Sequence, residues 1–220
     1  MALLSNLDLI RRIPLFSVLN VEQAQRIADG VVKRRFRRGE IIVGQGKRSN
    51  TLFILLTGRA RVFNSDSRGR EVTLATLLPG DYVGEMSLID KEPHSASVRT
   101  EVVSDILTLS SDEFARCLPT NNSLSYSILR GLVQRLRGAN RQIESLALLD
   151  VYGRVARALL EMADATGDVT VIRSKVSRQD LARLVGASRE MVSRVMTGLE
   201  TRGIIRTESD GSVTINELMV

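Results

Sequence analysis

The sequence predicts an α+β fold in which an antiparallel β-roll or jelly roll comes first, a long helix second and a winged helix-turn-helix last. Short strand-like segments separated by turn residues fill residues 40–109, and one helical run covers residues 120–149. Two short helical segments meet at a glycine within residues 178–197, ahead of a strand hairpin. The expected domains are 1–119, 120–149 and 150–220.

Composition restricts the class of protein. Hydrophobic residues make up 43% of the 220 residues, enough for packed cores, and no apolar run approaches the roughly 18 residues of a membrane span. The apolar start contains Asp8 and no small-residue cleavage site, so we expect no signal peptide. Cys117 is the sole cysteine, which excludes an internal disulfide and a four-cysteine iron–sulfur cluster within one chain. We expect a cytoplasmic protein without a membrane partner.

The N-terminal segment has two parts. Residues 1–30 have helical periodicity that is interrupted at Pro14 and ends at Gly30. The following segment, VVKRRFRRGEIIVGQG, carries five basic residues in six positions; it can contact phosphates, but we favour a solvated edge strand. The apolar face of the first part is expected to consist of Leu15, Val18, Leu19, Ala24 and Ile27.

Residues 40–109 have the pattern of a β domain. Turn residues occur at 44–46, 66–69 and 78–81. Alternating strands with regular turn spacing predict a small antiparallel barrel or sandwich. The strand segments are EIIV, TLFILLTGRARVFN, EVTLATLL, DYVGEM, SASVRT and SDILTLS.

A candidate ligand site follows the strand DYVGEM. Gly84 precedes a helical turn whose backbone amides can bind an anionic phosphate, and Glu85 can accept a hydrogen bond from a ribose hydroxyl. His94 and Ser95 follow in KEPHSAS. A plain strand-to-turn connection is the competing interpretation, and a lone histidine in a turn is most often a surface residue.

The helical run over residues 120–149 also has a heptad pattern. It predicts a parallel two-stranded coiled coil, and therefore a homodimer. Packing against the β domain is the competing interpretation, and both can hold because Ile128 and Val133 lie off the seam. The seam residues, at heptad positions a and d, are Leu129, Leu132, Leu136, Ala139, Ile143 and Leu146.

The segment RQDLARLVGASREMVSRVMT predicts two helices that cross at a tight turn. Gly186 can adopt the positive φ that the turn needs, Ala182 is small where the helices cross, and Ser188 can cap the second helix. The expected apolar faces are Leu181, Leu184 and Val185 in the first helix and Met191, Val192 and Val195 in the second.

The flanks of this segment complete the domain. We predict a helix over residues 151–166, a break at residues 167–168 and a strand over residues 169–177. The segments GIIR and SVTI flank a turn at residues 209–211 and predict a hairpin. The motif is therefore expected to be a winged helix-turn-helix.

The exposed face of the second helix favours DNA binding. It carries Arg189, Glu190, Ser193 and Arg194, and such a helix enters the major groove. A helical hairpin with a solvated charged face is the competing interpretation. The net charge of +6 does not decide between them, because residues 150–220 contain ten basic and ten acidic residues. Within residues 177–206, six basic residues face three acidic ones, and this local excess favours DNA.

The order of roll, long helix and winged domain resembles the cyclic-AMP receptor protein/FNR family of bacterial transcription regulators. The motifs that carry the resemblance are LLTGRARV, LLPGDYVGEMSLID, LALLDVYGRVARALL and VSRQDLARLVGASREMVSRVMTGLE. The resemblance covers almost the whole chain. It implies a homodimer in which the roll binds an effector, the long helix dimerises and the winged domain reads a palindromic operator, with RNA polymerase as a further candidate partner.

The resemblance also implies roles for individual residues of the winged domain. Arg189, Glu190 and Arg194 match residues that read base edges in the family's TGTGA-type half-sites. The chemistry agrees, because arginine donates to guanine O6 and N7 and glutamate accepts from cytosine N4. Ser177 and Ser188 match positions that contact phosphate.

The expected effector pocket departs from the cyclic-AMP-binding members. Those members have an arginine at the place of His94 and Thr-Ser at the place of Ala139-Asn140. A neutral imidazole lacks arginine's fixed charge and two-pronged geometry. We expect a cyclic nucleotide nonetheless, cyclic di-GMP ahead of cyclic AMP, because the roll and long helix are rich in arginine. Its expected contacts are Gly84, Glu85, His94, Ser95 and Asn140.

Other functions remain as alternatives. One is a family regulator that binds DNA without a small effector; another is a nucleotide-binding module that acts on a protein partner, against which Arg189, Glu190 and Arg194 argue. An enzyme is not expected, since no Ser-His-Asp arrangement, cysteine–histidine metal spacing or GKS/T loop occurs. We also expect no metal and no haem.

Overall fold

The structure is a computed structural model that describes residues 5–117, 122–166, 169–173 and 175–216. Its contacts separate into two compact units, Met1–Arg137 and Gly138–Val220, which divide within the long helix. Among the described residues, no helix has both the length and the apolar composition to cross a membrane. The boundaries expected at 119/120 and 149/150 remain predictions.

Two short helices and a 3₁₀ turn begin the first unit: α1 (Asn6–Arg11), the turn Pro14–Phe16 and α2 (Val21–Gly30). Ser5 and Asn20 cap α1 and α2, each within a capping box, which satisfies first-turn amides. The prediction that Val18 lies on the apolar face was wrong, because 43% of its surface is exposed while Leu15, Ala24 and Ile27 are buried.

The β-roll consists of antiparallel strands in two sheets. One sheet has the order β1-β8-β3-β6 and the other the order β2-β7-β4-β5. The basic segment forms β1 at the edge of the first sheet, as predicted for a solvated edge strand. The strands are β1 (Val32–Phe36), β2 (Ile41–Val43), β3 (Thr51–Thr57), β4 (Ala60–Ser65), β5 (Glu71–Leu77), β6 (Tyr82–Val83), β7 (Ser97–Thr100) and β8 (Ser104–Ser110).

Strands β3 and β8 are buried on both faces. Leu55 and Ile106 belong to the core between the sheets, whereas Leu52 and Leu107 pack with the N-terminal helices. This explains the continuous apolar run of β3 from Leu52 to Leu56 and the adjacent apolar Ile106 and Leu107 of β8, since a strand with both faces covered does not alternate. Ile128 of the long helix joins the core on the helical side.

The remaining helices of the roll are α3 (Glu85–Asp90) and α4 (Ser111–Cys117), and the long helix α5 spans Asn122–Leu148. The first residues of the predicted run, 120 and 121, lie outside the described residues. Of the two residues off the seam, Ile128 is buried and Val133 is 49% exposed. Leu132, predicted on the seam, packs partly against the core of the N-terminal helices.

The second unit continues with α6 (Val151–Met162), β9 (Asp164–Thr166) and β10 (Val169–Ile172). The prediction that the helix reaches residue 166 was wrong: Ala163 is extended, and residues 164–166 pair with β10. The predicted break at residues 167–168 lies outside the described residues. The predicted strand over residues 169–177 ends at Ile172. The hairpin is confirmed as β11 (Ile205–Thr207) and β12 (Val213–Ile215), in the sheet order β11-β12-β10-β9.

The two helices of the predicted motif are α7 (Arg178–Val185) and α8 (Arg189–Thr201). Their apolar faces differ from the prediction. Leu184 and Met191 are 38% and 45% exposed, because the side of each helix that meets the core is rotated away from them. The buried residues are Leu181, Ala182 and Val185 in α7 and Val192, Met196 and Leu199 in α8.

Candidate nucleic-acid interface and effector pocket

The turn between α7 and α8 has the geometry that its sequence predicts. Gly186 ends α7 in the left-handed conformation, with φ of 65°, where residues with a Cβ are strained. The amide of Ala187 then donates to the carbonyl of Ala182 at 3.0 Å. Ala182 is buried, as expected where two helices cross closely.

The two serines predicted to contact phosphate cap the helices. Ser177 accepts a hydrogen bond from the Asp180 amide at 3.4 Å, and Ser188 accepts one from the Met191 amide at 3.2 Å. Each hydroxyl uses a lone pair for the cap, so its proton can still be donated to an outside acceptor. The cap also directs each hydroxyl to the N-terminal end of its helix, where anions are favoured.

The charged residues on the exposed side of α8 are unpaired. Arg189, Glu190 and Arg194 are exposed, and none forms an ion pair with a residue that the structure describes. Nearby charges are used internally: Arg178 donates to Glu200 at 3.2 Å, which ties the start of α7 to the end of α8. The three residues are therefore available to an external partner.

Gly84 fixes the backbone at the start of the candidate effector pocket. Its φ is 95°, and a Cβ there would lie 2.5 Å from the carbonyl oxygen of Thr51. No residue with a side chain fits this place without a shift of β3. The turn that follows is α3, as the sequence predicted.

Glu85 is buried with one half of its carboxylate satisfied. Its side chain is 2% exposed, Oε1 accepts a hydrogen bond from Arg135 of α5, and Oε2 has no partner among the described residues. Burial raises the pKa of Glu85, and the Arg135 guanidinium opposes that shift. A buried unsatisfied oxygen costs free energy unless a ligand or water donates to it.

Arg135 contacts Glu85, although the predicted set of effector contacts does not include this arginine. Besides Glu85 it donates to the carbonyl oxygen of Tyr82, and its guanidinium lies over the Tyr82 ring at 4.8 Å from the centroid. Gly131 makes room for this group, since a Cβ there would lie 2.3 Å from the Tyr82 hydroxyl. The available signal was spacing: Arg135 follows the buried Ile128 by seven residues and so lies on the same side of α5.

His94 is a buried residue of the roll, so its interpretation as a surface histidine was wrong. It is 7% exposed, with Nε2 at 2.8 Å from the Ser49 hydroxyl and Nδ1 at 3.0 Å from the Ser87 hydroxyl. Its backbone also pairs with the loop before β3, since its amide donates to the Lys47 carbonyl at 2.9 Å. Burial lowers the pKa of His94, so the ring is neutral at pH 7. Both ring nitrogens are already hydrogen bonded.

Two further predicted contacts are exposed to solvent. Ser95 is exposed, and Asn140 is exposed on the part of α5 that belongs to the second unit. Between the sheets, a cavity of about 10 Å³ among apolar side chains such as Phe53 and Leu77 has room for no more than a water molecule. The described residues contain no group of three or more His, Cys, Asp or Glu side chains able to hold a metal ion.

Comparison with known proteins gives the same order of domains. The family model of the cyclic nucleotide-binding domain matches residues 33–121, and that of the Crp-like helix-turn-helix domain matches residues 153–219. The cAMP-activated global transcriptional regulator Vfr of Pseudomonas aeruginosa is 34% identical over 183 residues, which cover 80% of this chain and 86% of Vfr. The chain belongs to the cyclic-AMP receptor protein/FNR family.

Other members of the family differ in the effector that they are named for. The CRP-like cAMP-activated global transcriptional regulator of Mycobacterium tuberculosis is 31% identical over 186 residues, 83% of each chain. The solved structure of CLP, a c-di-GMP-responsive global regulator of Xanthomonas campestris, superposes with a TM-score of 0.77 at 27% identity and covers 90% of this chain and 99% of CLP. The family models and these relatives together show that the present chain is a DNA-binding transcription regulator with a cyclic nucleotide-binding domain.

The candidate effector pocket of this chain suits the ribose of a nucleotide better than its phosphate. The unsatisfied Oε2 of Glu85 suits a hydroxyl donor such as that of a ribose. The neutral His94 gives a phosphate neither a fixed charge nor a free ring N–H, because Ser49 and Ser87 occupy both nitrogens. The cation beside Glu85 is Arg135, whose side chain is 40% exposed.

Proposed function

We propose that the protein is a homodimer that reads a palindromic operator with TGTGA-like half-sites through α8. The observation that carries this proposal is that Arg189, Glu190 and Arg194 are exposed and form no ion pair with any residue in the described part of the chain. An arginine can donate two hydrogen bonds to guanine O6 and N7, and the glutamate can accept from cytosine N4. Ser177 and Ser188 hold their remaining hydroxyl protons for phosphates and so fix the register.

The exposed seam of α5 supports the dimer. Leu129, Leu136, Ile143 and Leu146 are each more than half exposed, although they are large and apolar, and Ala139 is exposed as well. A second copy of the helix would bury them, at about 25 cal/mol for each Å² removed from water. Leu132 is shared with the core of the N-terminal helices. A dimer places two recognition helices on half-sites about 34 Å apart, one turn of DNA.

A cyclic nucleotide in the roll would control the DNA-bound state. Glu85 and Gly84 are the proposed contacts for the sugar side of the ligand, with His94, Ser95 and Asn140 completing the predicted set. Cyclic di-GMP is favoured over cyclic AMP because the roll and long helix are rich in arginine, and because CLP, which superposes well, is a c-di-GMP-responsive regulator. Vfr is named as cAMP-activated, which keeps cyclic AMP as the second effector to test.

A regulator that binds DNA without a small effector is the second candidate. The observation that favours it is the Ser49–His94–Ser87 arrangement, in which neutral groups satisfy one another at the place where a charged arginine is expected. In that case the roll serves as a scaffold for the dimer. In both proposals the protein works in the cytoplasm, is not an enzyme, and has DNA, a second copy and RNA polymerase as its partners.

Isothermal titration with cyclic AMP, cyclic GMP and cyclic di-GMP tests the effector. We expect heat with cyclic di-GMP that is lost in Glu85→Ala, while Glu92→Ala, an exposed carboxylate of the following turn, binds as the wild type. Fluorescence anisotropy on a TGTGA-type palindrome, with and without the ligand, then tests the control of DNA binding. Specific DNA binding without heat from any of the three nucleotides would favour the second candidate.

A further inference from the structure

The exposed face of α8 continues beyond Arg194. A surface groove of about 560 Å³ runs along the C-terminal half of the helix. Because an α-helix repeats every 3.6 residues, positions 190, 194, 197 and 201 lie along one line, opposite the buried side. We call this surface the Gly198 groove; it is lined by Ser193, Arg194, Thr197, Gly198, Thr201 and Arg202.

The fold does not require the glycine at position 198. A Cβ built there meets no atom within 4 Å, and its backbone is helical, unlike that of Gly84 or Gly186. A glycine inside a helix is destabilising relative to alanine. The absence of a side chain at Gly198 therefore affects only the outer surface, where it leaves the helix backbone exposed as the floor of the groove.

The two ends of the Gly198 groove are cationic. Arg194 and Arg202 are about 12 Å apart along the helix axis, and neither pairs with a carboxylate among the described residues. The Arg202 guanidinium lies over the Tyr152 ring of α6, 5.8 Å from its centroid, which restricts where it points.

The middle of the groove is polar and neutral. Thr201 donates to the Thr197 carbonyl at 2.9 Å, and Thr197 is an exposed residue. Glu200 does not compete for an anion-binding place, because its carboxylate accepts from Arg178 at 3.2 Å and from Thr207 at 2.5 Å. The groove thus has two cationic ends and a neutral polar middle. A nucleic-acid strand, with regularly spaced phosphates and uncharged sugars between them, is complementary to this arrangement.

We propose that one sugar–phosphate strand of bound DNA crosses α8 at Gly198, with Arg202 donating to a phosphate. The inference rests on DNA binding through α8. The missing side chain permits close approach of the DNA backbone, and the contact is continuous with the base-reading end of the same helix. Because phosphates are the same in every sequence, this contact sets the register and adds affinity without adding sequence preference.

Gly198→Ala in the full-length dimer tests the close approach. We expect about tenfold weaker binding to both operator and unrelated duplex by fluorescence anisotropy, with an unchanged or higher thermal midpoint, because alanine favours the helix. Gly138→Ala is the matched control, since it makes the same change in α5, where the nearest atom to the new Cβ is 4.0 Å away. It should raise the thermal midpoint and leave DNA affinity unchanged.

Arg202→Ala tests the phosphate contact. The slope of log K against log salt concentration should become shallower by about one, and Arg202→Lys should restore it, because lysine keeps a point charge for a phosphate. Wild-type affinity of Gly198→Ala with an unchanged slope in Arg202→Ala would overturn the inference and make the groove a surface for a protein partner. A loss for Gly198→Ala on the operator alone would also overturn it, in favour of a base contact.

Arg189→Ala separates this inference from the proposed function. If Arg189→Ala relaxes the preference at one base pair while Gly198→Ala and Arg202→Ala behave as the wild type, only the crossing strand is wrong. If all three variants bind every duplex as the wild type does, DNA reading through α8 fails as well.

Discussion

In the β-roll, Glu85 lies buried against Arg135, and both ring nitrogens of His94 are hydrogen bonded to Ser49 and Ser87. On α8, by contrast, Arg189 and Arg194 are exposed and form no ion pair with the residues that the structure describes. The two regions contain similar residue types. They differ in how much of the charge the protein satisfies: Oε1 of Glu85 and both His94 ring nitrogens have partners while Oε2 of Glu85 has none among the described residues, whereas the two α8 arginines form no ion pair with any described residue. We therefore expect substitutions of the polar residues in the roll to change mainly stability, and substitutions of those on α8 to change mainly DNA binding.

The largest effect is expected where a buried charge loses its partner. Arg135→Ala should lower the free energy of unfolding by about 2 to 3 kcal/mol, because Glu85 stays buried without a counterion; exposure of the Arg135 side chain keeps the loss below that of a fully buried pair. Urea unfolding measures it. Arg137→Ala, two residues along the same helix and exposed, should change little. Equal losses in the two variants would mean that the Glu85 pair does not contribute.

Arg189→Ala should weaken DNA binding and leave stability unchanged, the reverse of Arg135→Ala. We expect unchanged stability, because the side chain is exposed and pairs with none of the described residues, and a loss of about 1–3 kcal/mol in binding that is confined to one base pair of the half-site. Anisotropy with a set of single-base operator variants measures the loss. Arg157→Ala, whose ion pair with Glu161 lies on α6, serves as the control. Uniform weakening on all sequences would show that Arg189 contacts only phosphate.

Ser188→Ala should lower both stability and DNA affinity. Loss of the cap on the Met191 amide should cost about 1 kcal/mol of stability, and loss of the hydroxyl donor should weaken binding equally on all sequences. Ser188→Gly removes the hydroxyl but retains a good capping residue, so it should recover most of the stability and none of the binding. Thermal unfolding and anisotropy on the same samples distinguish the two contributions.

The smallest expected effect is a pH dependence from His94. Burial places its folded pKa below the ordinary value of 6.5, so the unfolded chain binds a proton first and stability falls as the pH drops below about 6.5. The contribution is at most about 1.4 kcal/mol per pH unit. Glu85 contributes with the opposite sign, because its folded pKa is raised. The measurement is therefore the difference between the wild type and His94→Gln, and parallel curves would contradict it.

Local signals in the sequence predicted the elements well. Gly186 at the turn, Ser188 before α8 and Gly84 before α3 each act through the backbone of their immediate neighbours, so the residue type alone indicates the conformation. Motif order predicted the family, which the comparisons confirm. Helix ends that depend on strand pairing were harder to predict from sequence. Residues 164–166 were predicted as helix but form a strand, because they pair with β10.

Burial was decided by tertiary structure. Met196 is fully buried and Met191 exposed on the same helix, although both are methionine, because only one side of α8 meets α6, α7 and the hairpin. His94 became a buried hydrogen-bonding residue through Ser49, 45 positions earlier in the chain.

The sequence by itself determined most of the elements, their order, and which helix carries Arg189, Glu190 and Arg194, since these follow from residue types and spacing over a few positions. Tertiary structure decided which of the charged groups are free. Arg135 reaches Glu85 across 50 positions, and no periodicity within either segment specifies that pair. The physical reason is that an ion pair or a buried imidazole requires two surfaces to meet, and the fold alone brings them together.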